Sequence, residues 1–153
     1  MDVCATAENT KCEKYFDIAI DGLKQDWGGH ISFMNPPFSM EQKNMKGEPI
    51  LNWRGNPKRI RVTDRWVAKA FHEGKKPNTI IVCLLPSRTD TVMFRRHIIH
   101  GYLIFLNGRL KFEGSKQGAP FPSLLTVFGE MTEEQRDALY KFASRHGIVM
   151  QYV

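Results

Sequence analysis

Residues 30–38 have the sequence HISFMNPPF, in which a short apolar segment is followed directly by two prolines. The apolar residues Ile31, Phe33 and Met34 favour an extended conformation. Proline lacks an amide hydrogen, so it cannot continue a central strand. The sequence therefore predicts a strand over residues 30–34, with Asn35, Pro36, Pro37 and Phe38 at its carboxyl end.

Two further segments extend this strand into an α/β unit. Residues 63–74 carry apolar side chains at helical spacing, among them Trp66 and Ala70, and Gly74 provides a stop signal. Residues 79–85, TIIVCLL, form a continuous apolar run closed by Pro86, as is typical of a parallel strand that is buried on both faces. Strand, helix and strand in this order predict a parallel sheet.

The remaining segments extend the same sheet. The sequence predicts a helix capped at Thr89-Asp90, a strand over 102–106, a hairpin that turns at Asn107-Gly108 and returns over 109–112, a strand over 123–128, a helix over 132–145 and an edge strand over 148–152. In the last helix we expect Ala138, Leu139 and Phe142 to face inward. The prediction is one α/β domain over residues 1–153, with a mostly parallel sheet and an antiparallel C-terminal edge.

Length and composition exclude several classes of protein. The chain has 153 residues, 42% of them hydrophobic, which suits one globular domain. Its longest apolar runs are far shorter than the ~18–20 residues of a membrane span, and residues 1–12 do not resemble a secretory signal. Three cysteines without a C-x-x-C pair favour a reducing cytoplasm over a disulfide scaffold. Scattered histidines indicate no metal site.

Charge is distributed unevenly along the chain. Residues 1–42 hold three basic and seven acidic side chains, whereas residues 43–65 hold seven basic and two acidic ones. Residues 39–62 are polar, basic and interrupted by glycine and proline, so we interpret them as a basic excursion from the sheet. Ligands of open α/β sheets bind beyond the carboxyl ends of strands, which predicts that the excursion overhangs the binding cleft. The alternative is a solvated basic loop.

The tetrapeptide Asn35-Pro36-Pro37-Phe38 matches the pattern [DNS]-P-P-[YFW] of amino-methyltransferases. The exocyclic amine of adenine is a poor nucleophile because its lone pair is delocalised into the ring. A side-chain oxygen of Asn35 and the Pro36 carbonyl can accept its two N–H groups and localise that lone pair, while proline holds the carbonyl in place. Phe38 offers a face for a flipped base. The alternative is a strand-ending turn with a buried phenylalanine.

The chain resembles the N-6-adenine DNA methyltransferases (Dam) of phages and prophages. The resemblance rests on blocks that occur in the family order: Asp2-Val3-Cys4-Ala5, Glu8-Asn9-x-Lys11-Cys12, Tyr15-Phe16, Asp21-Gly22-Leu23, Gln25-Asp26-Trp27, Asn35-Pro36-Pro37-Phe38, Leu84-Leu85-Pro86-x-Arg88-Thr89-Asp90-Thr91, Phe105-Leu106-x-Gly108-Arg109-Leu110-x-Phe112 and Ala119-Pro120-Phe121-Pro122-Ser123. Together they span residues 2 to about 128.

This resemblance implies a Rossmann-like class I methyltransferase fold, S-adenosylmethionine as methyl donor, and adenine in double-stranded DNA as acceptor in a bacterial cytoplasm. The implied catalytic residues are Asn35, Pro36, Pro37 and Phe38. The implied cofactor-binding residues are Asp2 and Ala5 after the first strand, Asp21 toward the ribose diol, Asp26 and Trp27 toward the adenine of the donor, and Asn35. Carboxylates suit a sulfonium ligand and a diol. For Asp21 and Asp26 the alternative is a loop carboxylate or helix cap.

One departure from the family concerns the start of the chain. Met1 precedes Asp2 directly, where relatives carry a hydrophobic strand and an upstream segment, so the chain is either naturally short here or trimmed. We therefore expect a sheet that lacks a full first strand, with weakened donor binding if that strand is missing.

The predicted DNA contacts combine positive charge with an aromatic ring, as in many nucleic-acid sites; they are Trp53, Arg54, Lys58, Arg59, Arg61 and Arg88. Arg88 could instead form a structural salt bridge. The alternative functions are methylation of RNA or of a protein glutamine amide, and a truncated, catalytically silent DNA-binding protein. A cytosine-ring methyltransferase is disfavoured, since its thiolate nucleophile would follow a proline and no cysteine here does.

Overall fold

The computed structural model describes residues 1–41, 48–57, 60–111 and 117–151. The strands in these residues are β1 (Ile31–Met34), β2 (Met40–Glu41), β3 (Ile60–Arg61), β4 (Ile80–Pro86), β5 (Tyr102–Leu106), β6 (Ser123–Phe128) and β7 (Gly147–Gln151). The α-helices are α1 (Val62–Glu73), α2 (Val92–Arg96) and α3 (Glu133–His146). The predicted α/β class and most of the predicted elements are thereby confirmed.

The main sheet has five strands in the order β1-β4-β6-β5-β7. Only β1 and β4 are parallel, and the β4–β6, β6–β5 and β5–β7 pairs are antiparallel. The prediction of a mostly parallel sheet is therefore wrong, and the sheet is mixed. The apolar sequence of a strand predicts that both its faces are buried but not the direction of its neighbour, and β6 lies between β4 and β5 although it follows both in the chain.

The core forms where α1 packs against β1 and β4. Trp66, Val67 and Ala70 of α1 are buried together with Ile81 and Leu85 of β4. The helical spacing predicted this inward face. Burial of such side chains contributes roughly 1.5–3 kcal/mol each. This core therefore holds the carboxyl end of β1 and the beginning of α1.

The first residues lie beside β1. Asp2 forms single parallel bridges with Phe33 and Tyr15, and the Val3 amide donates to the Phe33 carbonyl over 3.0 Å. Asp2 thus contacts β1 through a one-residue bridge.

Three local predictions require correction. Residues 109–111 form no strand, because β5 already pairs with β6 and β7 on its two edges; Phe112 lies outside the described residues. Helix α2 is capped by Thr91, whose side chain accepts from the Phe94 amide. The buried face of α3 contains Ala143, whereas Ala138 and Phe142 are exposed.

The basic excursion returns on itself. Strands β2 and β3 pair antiparallel at its base, and Leu51 bridges Pro57 around a turn at residues 52–56. The Asn52 side chain accepts from the amides of Arg54 and Asn56 and so fixes this turn.

Within the described ranges, the chain has no helix that is long and apolar enough to cross a membrane.

Candidate active site

A cavity of about 1140 Å³ lies at the carboxyl end of β1. One wall comes from loops near the N-terminus, one from residues 35–38, and one from α1. The N-terminal loops contribute Cys4, Ala5, Thr6, Asn9, Phe16, Asp17, Ile18, Asp21, Gly22, Leu23 and Lys24. The structure thus brings together four parts of the sequence that are far apart in the chain, at the edge of the sheet where the sequence predicted a ligand.

Asn35 carries the most distinctive atom of this cavity. Its Oδ1 atom is buried and has no hydrogen-bond partner among the described residues, although Asn35 lines the cavity. A buried acceptor without a partner costs roughly 1–3 kcal/mol, and such atoms are uncommon in native proteins. Ser32 Oγ and His97 Nδ1 are two further such atoms among the described residues, but they do not line the cavity. The Asn35 oxygen is therefore available to accept an N–H group from a ligand.

Residues 36–38 continue the wall that Asn35 begins. Pro36 is buried, and the Pro37 carbonyl accepts from the Thr63 hydroxyl over 2.9 Å. The Phe38 ring is partly exposed and meets Phe121 edge to face, with 5.6 Å between ring centroids and 88° between ring planes. Phe121 follows Pro120, and the carbonyl of the next residue, Pro122, accepts from the Ser87 amide over 2.8 Å. Two aromatic rings thus stand on anchored loops.

The N-terminal wall carries the acidic groups. Ala5, Asp17 and Asp21 line the cavity. The Asp21 side chain accepts from the Leu23 amide and lies 3.0 Å from Lys24 Nζ, so this carboxylate caps a short 3-10 turn and also borders the cavity. The two alternatives for Asp21 are compatible, because a carboxylate has two oxygens with several lone pairs.

Asp2 acts below the surface of the cavity. It is buried, and its two carboxylate oxygens accept from the amides of Cys4 and Lys11, each over 3.2 Å. It does not belong to the cavity lining. Asp2 thus shapes the loop that contains Ala5, and its expected contact with a cofactor stays a prediction.

The α1 wall contains charged residues that the sequence analysis did not select. Val62, Arg65, Trp66, Lys69 and His72 line the cavity at positions i, i+3, i+4, i+7 and i+10. The signal was present in the sequence, because these residues share one helical face with Trp66. The apolar positions of the same helix were interpreted as core alone.

Asp26 and Trp27 do not line this cavity, and their role in cofactor binding stays a prediction. Asp26 is exposed and lies 2.6 Å from Lys76 Nζ. Trp27 is fully buried, stacks on Trp66 with ring centroids 6.0 Å apart, and donates from Nε1 to the Gly22 carbonyl. Trp27 thus packs against α1, whereas Asp26 lies at the surface.

The predicted DNA contacts lie on two separate surfaces. Trp53 is 86% exposed at the tip of the basic excursion, and the guanidinium of Arg54 lies 4.4 Å from the centre of its ring. Arg61 is half-buried in β3, and Arg88 is exposed after β4. Lys58 and Arg59 lie outside the described residues.

The thiols near the site are poorly suited to act as nucleophiles. Burial, with a smaller effect of the Asp2 carboxylate, raises the pKa of Cys4 to about 11. Burial likewise raises the pKa of Cys83 well above its usual range. A nucleophilic cysteine requires a depressed pKa, so the lining of the cavity favours chemistry without a thiolate. Among the residues described, no cluster of three or more His, Cys, Asp or Glu side chains could hold a metal ion.

Comparison with known proteins agrees with this site. The model of the family described as DNA N-6-adenine-methyltransferase (Dam) matches residues 1–149. No curated protein and no solved structure matches the chain. The match includes the cavity, the Asn35–Phe38 wall and the basic excursion. The chain therefore belongs to the DNA N-6-adenine-methyltransferase family.

Proposed function

We propose that this chain is a single methyltransferase domain that transfers a methyl group from S-adenosylmethionine to the N-6 amine of an adenine flipped out of duplex DNA. The observation that carries the proposal is the buried Asn35 Oδ1 atom, which lines the cavity without a partner among the described residues. An acceptor held open in this way suits an N–H donor on the substrate.

Asn35 and Pro36 act on the target amine. The Asn35 oxygen accepts one N–H of the adenine amine, and the Pro36 carbonyl accepts the other. Both acceptors raise the electron density on nitrogen as it becomes tetrahedral, so their effect is larger in the transition state than in the ground state. The nitrogen gains a positive charge on methylation and then loses one proton to solvent.

The N-terminal wall fits the methyl donor. S-adenosylmethionine supplies a methyl group whose bond to sulfur breaks as the amine lone pair forms the new N–C bond. Its ammonium and ribose hydroxyl groups require hydrogen-bond acceptors and anionic partners, which Asp17 and Asp21 provide on the cavity wall. The small side chain of Ala5 leaves room for the donor to approach the backbone closely. The cavity volume of about 1140 Å³ is above the usual range for a drug-sized ligand, which leaves space for a base beside the donor.

Phe38 and Phe121 receive the flipped base. Stacking of a base on an aromatic ring contributes roughly 1–3 kcal/mol. Phe38 lines the cavity next to Asn35, and Phe121 stands perpendicular to it. We propose that a base stacks on the Phe38 ring while Phe121 limits its position in the ring plane.

The basic excursion contacts the DNA backbone. Its tip presents an exposed Trp53 ring with Arg54 stacked beside it, a combination of stacking and charge that suits nucleic acid. Arg61 adds a positive charge at its base, and Lys58 and Arg59, outside the described residues, are further proposed contacts. Arg88, exposed after β4, is another proposed contact.

The direct test measures the product. The protein is incubated with methyl-labelled S-adenosylmethionine and either duplex DNA, RNA or a protein mixture, and the methylated species is identified by mass spectrometry. We expect label on DNA, as N-6-methyladenine. Label confined to RNA or to a glutamine amide would contradict the proposed substrate, and absence of donor binding in calorimetry would instead support a silent DNA-binding protein.

Asn35 has a matched control in the same chain. Asn35→Ala should lower kcat for methyl transfer by about 10²–10³-fold while donor affinity stays within a fewfold of wild type. Asn107→Ala removes the same side chain from an exposed turn and should leave activity unchanged. Near-full activity of Asn35→Ala would remove Asn35 from the catalytic site.

The salt dependence of DNA affinity tests the excursion. Each phosphate contact contributes about 0.9 to the slope of log affinity against log salt concentration. Joint neutralisation of Arg54, Lys58, Arg59 and Arg61 should reduce that slope by roughly two to four, without a change in donor affinity. Neutralisation of Lys141 and Arg145 on α3 serves as the control. An unchanged slope would identify the excursion as a solvated loop.

A further inference from the structure

The basic excursion and the Asn35–Phe38 wall are joined at one point, where α1 begins. Thr63 Oγ1 donates to the Pro37 carbonyl over 2.9 Å, and the Val62 amide donates to the Ser39 carbonyl over 3.1 Å. Met40 and Arg61 pair directly beyond these bonds. The chain thus leaves the wall after Phe38 and returns to it at Thr63.

The prolines explain why this junction needs a side chain. Pro36 and Pro37 have no amide hydrogen, so neither can anchor the loop by donating a backbone hydrogen bond. At these two positions the backbone can form hydrogen bonds only through its carbonyls. Thr63 occupies the carbonyl of Pro37, which leaves that of Pro36 as the backbone acceptor for the substrate amine.

Thr63 is itself firmly placed. It is 4% exposed in the first turn of α1, and α1 is fixed in the core by Trp66, Val67 and Ala70. Threonine has few side-chain conformations because of its branched Cβ. The hydroxyl is therefore a rigid reference point for a loop that would otherwise be anchored only at its ends.

We propose that Thr63 is a positioning residue for methyl transfer, which holds the Pro37 carbonyl and thereby fixes the Pro36 carbonyl toward the amine. This inference rests on the proposed function. A displacement of about 1 Å in such a group lowers rates by about 10²-fold in favourable cases. In Thr63→Val a methyl group fills the volume of the lost hydroxyl, and the exposed Pro37 residue can turn its carbonyl to solvent, so the effect on folding should be small.

The test uses Thr63→Val, Thr63→Ser and Thr79→Val. Valine has the shape of threonine without the hydroxyl. Thr79 is the comparison residue, since it too is a buried threonine whose hydroxyl donates to a proline carbonyl, that of Pro77, over 3.0 Å, and it does not line the cavity. Its oxygen also accepts from the Gly29 amide over 2.8 Å, so Thr79→Val is the larger structural change of the two. Thr63→Val should lower kcat on DNA about tenfold to a hundredfold, with donor affinity and the salt slope of DNA binding unchanged.

Three outcomes would overturn the proposal: a wild-type kcat in Thr63→Val, a kcat that Thr63→Ser fails to restore, or an equal loss in Thr79→Val, which would indicate a general structural effect. Failure of the proposed function is distinguishable, because it shows in wild-type protein that methylates no DNA or in Asn35→Ala that remains active. In that case the assigned role of Thr63 falls with it.

Discussion

The Asn35–Phe38 wall and the Asp26–Trp27 segment were both predicted to bind ligand. Their sequences are similar, since each has a polar side chain close to an aromatic ring. In the structure they differ in one respect. Asp26 accepts from Lys76 Nζ over 2.6 Å and from the Gly28 amide over 2.8 Å, and Trp27 Nε1 donates to the Gly22 carbonyl. Asn35 Oδ1, by contrast, is buried and has no partner among the described residues.

The difference teaches how to separate a binding group from a structural one. A polar group that is already satisfied by the protein gains little from a ligand, whereas an acceptor held open has its full capacity left. Residues that break the rule of satisfied polar groups concentrate at functional sites. The chemistry of the side chain alone does not distinguish the two cases.

Glu73 anchors the Asp26–Trp27 segment to α1. Its carboxylate accepts from the Trp27 amide over 2.9 Å, from Lys76 over 2.7 Å and from Lys69 over 3.1 Å. Burial acts to raise the pKa of Glu73, but the hydrogen bonds from Lys76, the Trp27 amide and Lys69 outweigh it, so the pKa lies below its usual range. A contact across 46 residues of sequence could not be anticipated from either segment.

The largest expected effect separates the two regions by activity. Asn35→Ala should lower kcat by about 10²–10³-fold, as loss of one acceptor or donor in a preorganised site does, with an unchanged melting temperature. Asn35→Asp keeps an oxygen acceptor and should retain measurable activity. The readout is steady-state kinetics on DNA. Equal loss in the two variants would indicate that the neutral amide group, and not an oxygen acceptor alone, is required.

Trp27 should show the opposite behaviour, with a loss of stability. Removal of a buried aromatic side chain typically costs about 3–5 kcal/mol, and Trp27→Ala also removes the stack on Trp66. Trp27→Phe keeps an aromatic ring and loses only the bond to Gly22, so it should cost less. Urea denaturation measures both. A stable Trp27→Ala protein that fails to bind the donor would indicate that Trp27 is a cofactor-binding residue.

The sequence could predict the parts of the fold and site that depend on local pattern. Strands such as β4 and β6 and the helix α1 follow from runs and spacing of apolar residues, and Asn35–Phe38 follows from a compact motif. The position of β6 between β4 and β5 could not be predicted, since the apolar sequence of a strand does not specify which strands it pairs with. The α1 wall was missed because Arg65, Lys69 and His72 acquire meaning only beside the Asn35 loop.

Glu73 offers an intermediate effect that depends on pH. Since its pKa is lower in the folded than in the unfolded protein, it contributes stability above its unfolded pKa of 4.5, and this contribution is lost as the pH falls through the folded value. Glu73→Gln should cost about 1.5–3 kcal/mol at pH 7 and flatten the fall in stability between pH 5 and 3. An unchanged acid limb would exclude Glu73 as a stabilising charge.

Asp26 should give the smallest effect. The hydrogen bond from Lys76, with that from the Gly28 amide, lowers the pKa of Asp26 to about 2, so it stays charged above pH 4 and its contribution to stability is lost only as the pH falls toward 2. The side chain is 77% exposed, and solvent screens such a pair. Asp26→Asn keeps an oxygen for the Gly28 amide, and Lys76 keeps its bond to Glu73. We therefore expect a melting temperature and a donor affinity equal to those of wild type at pH 7.

Asp21→Asn, on the cavity wall, is the matched comparison and should weaken donor binding. If calorimetry instead found that Asp26→Asn lost donor affinity and Asp21→Asn did not, the donor would bind outside the cavity wall, and the proposed role of Asp21 would fail.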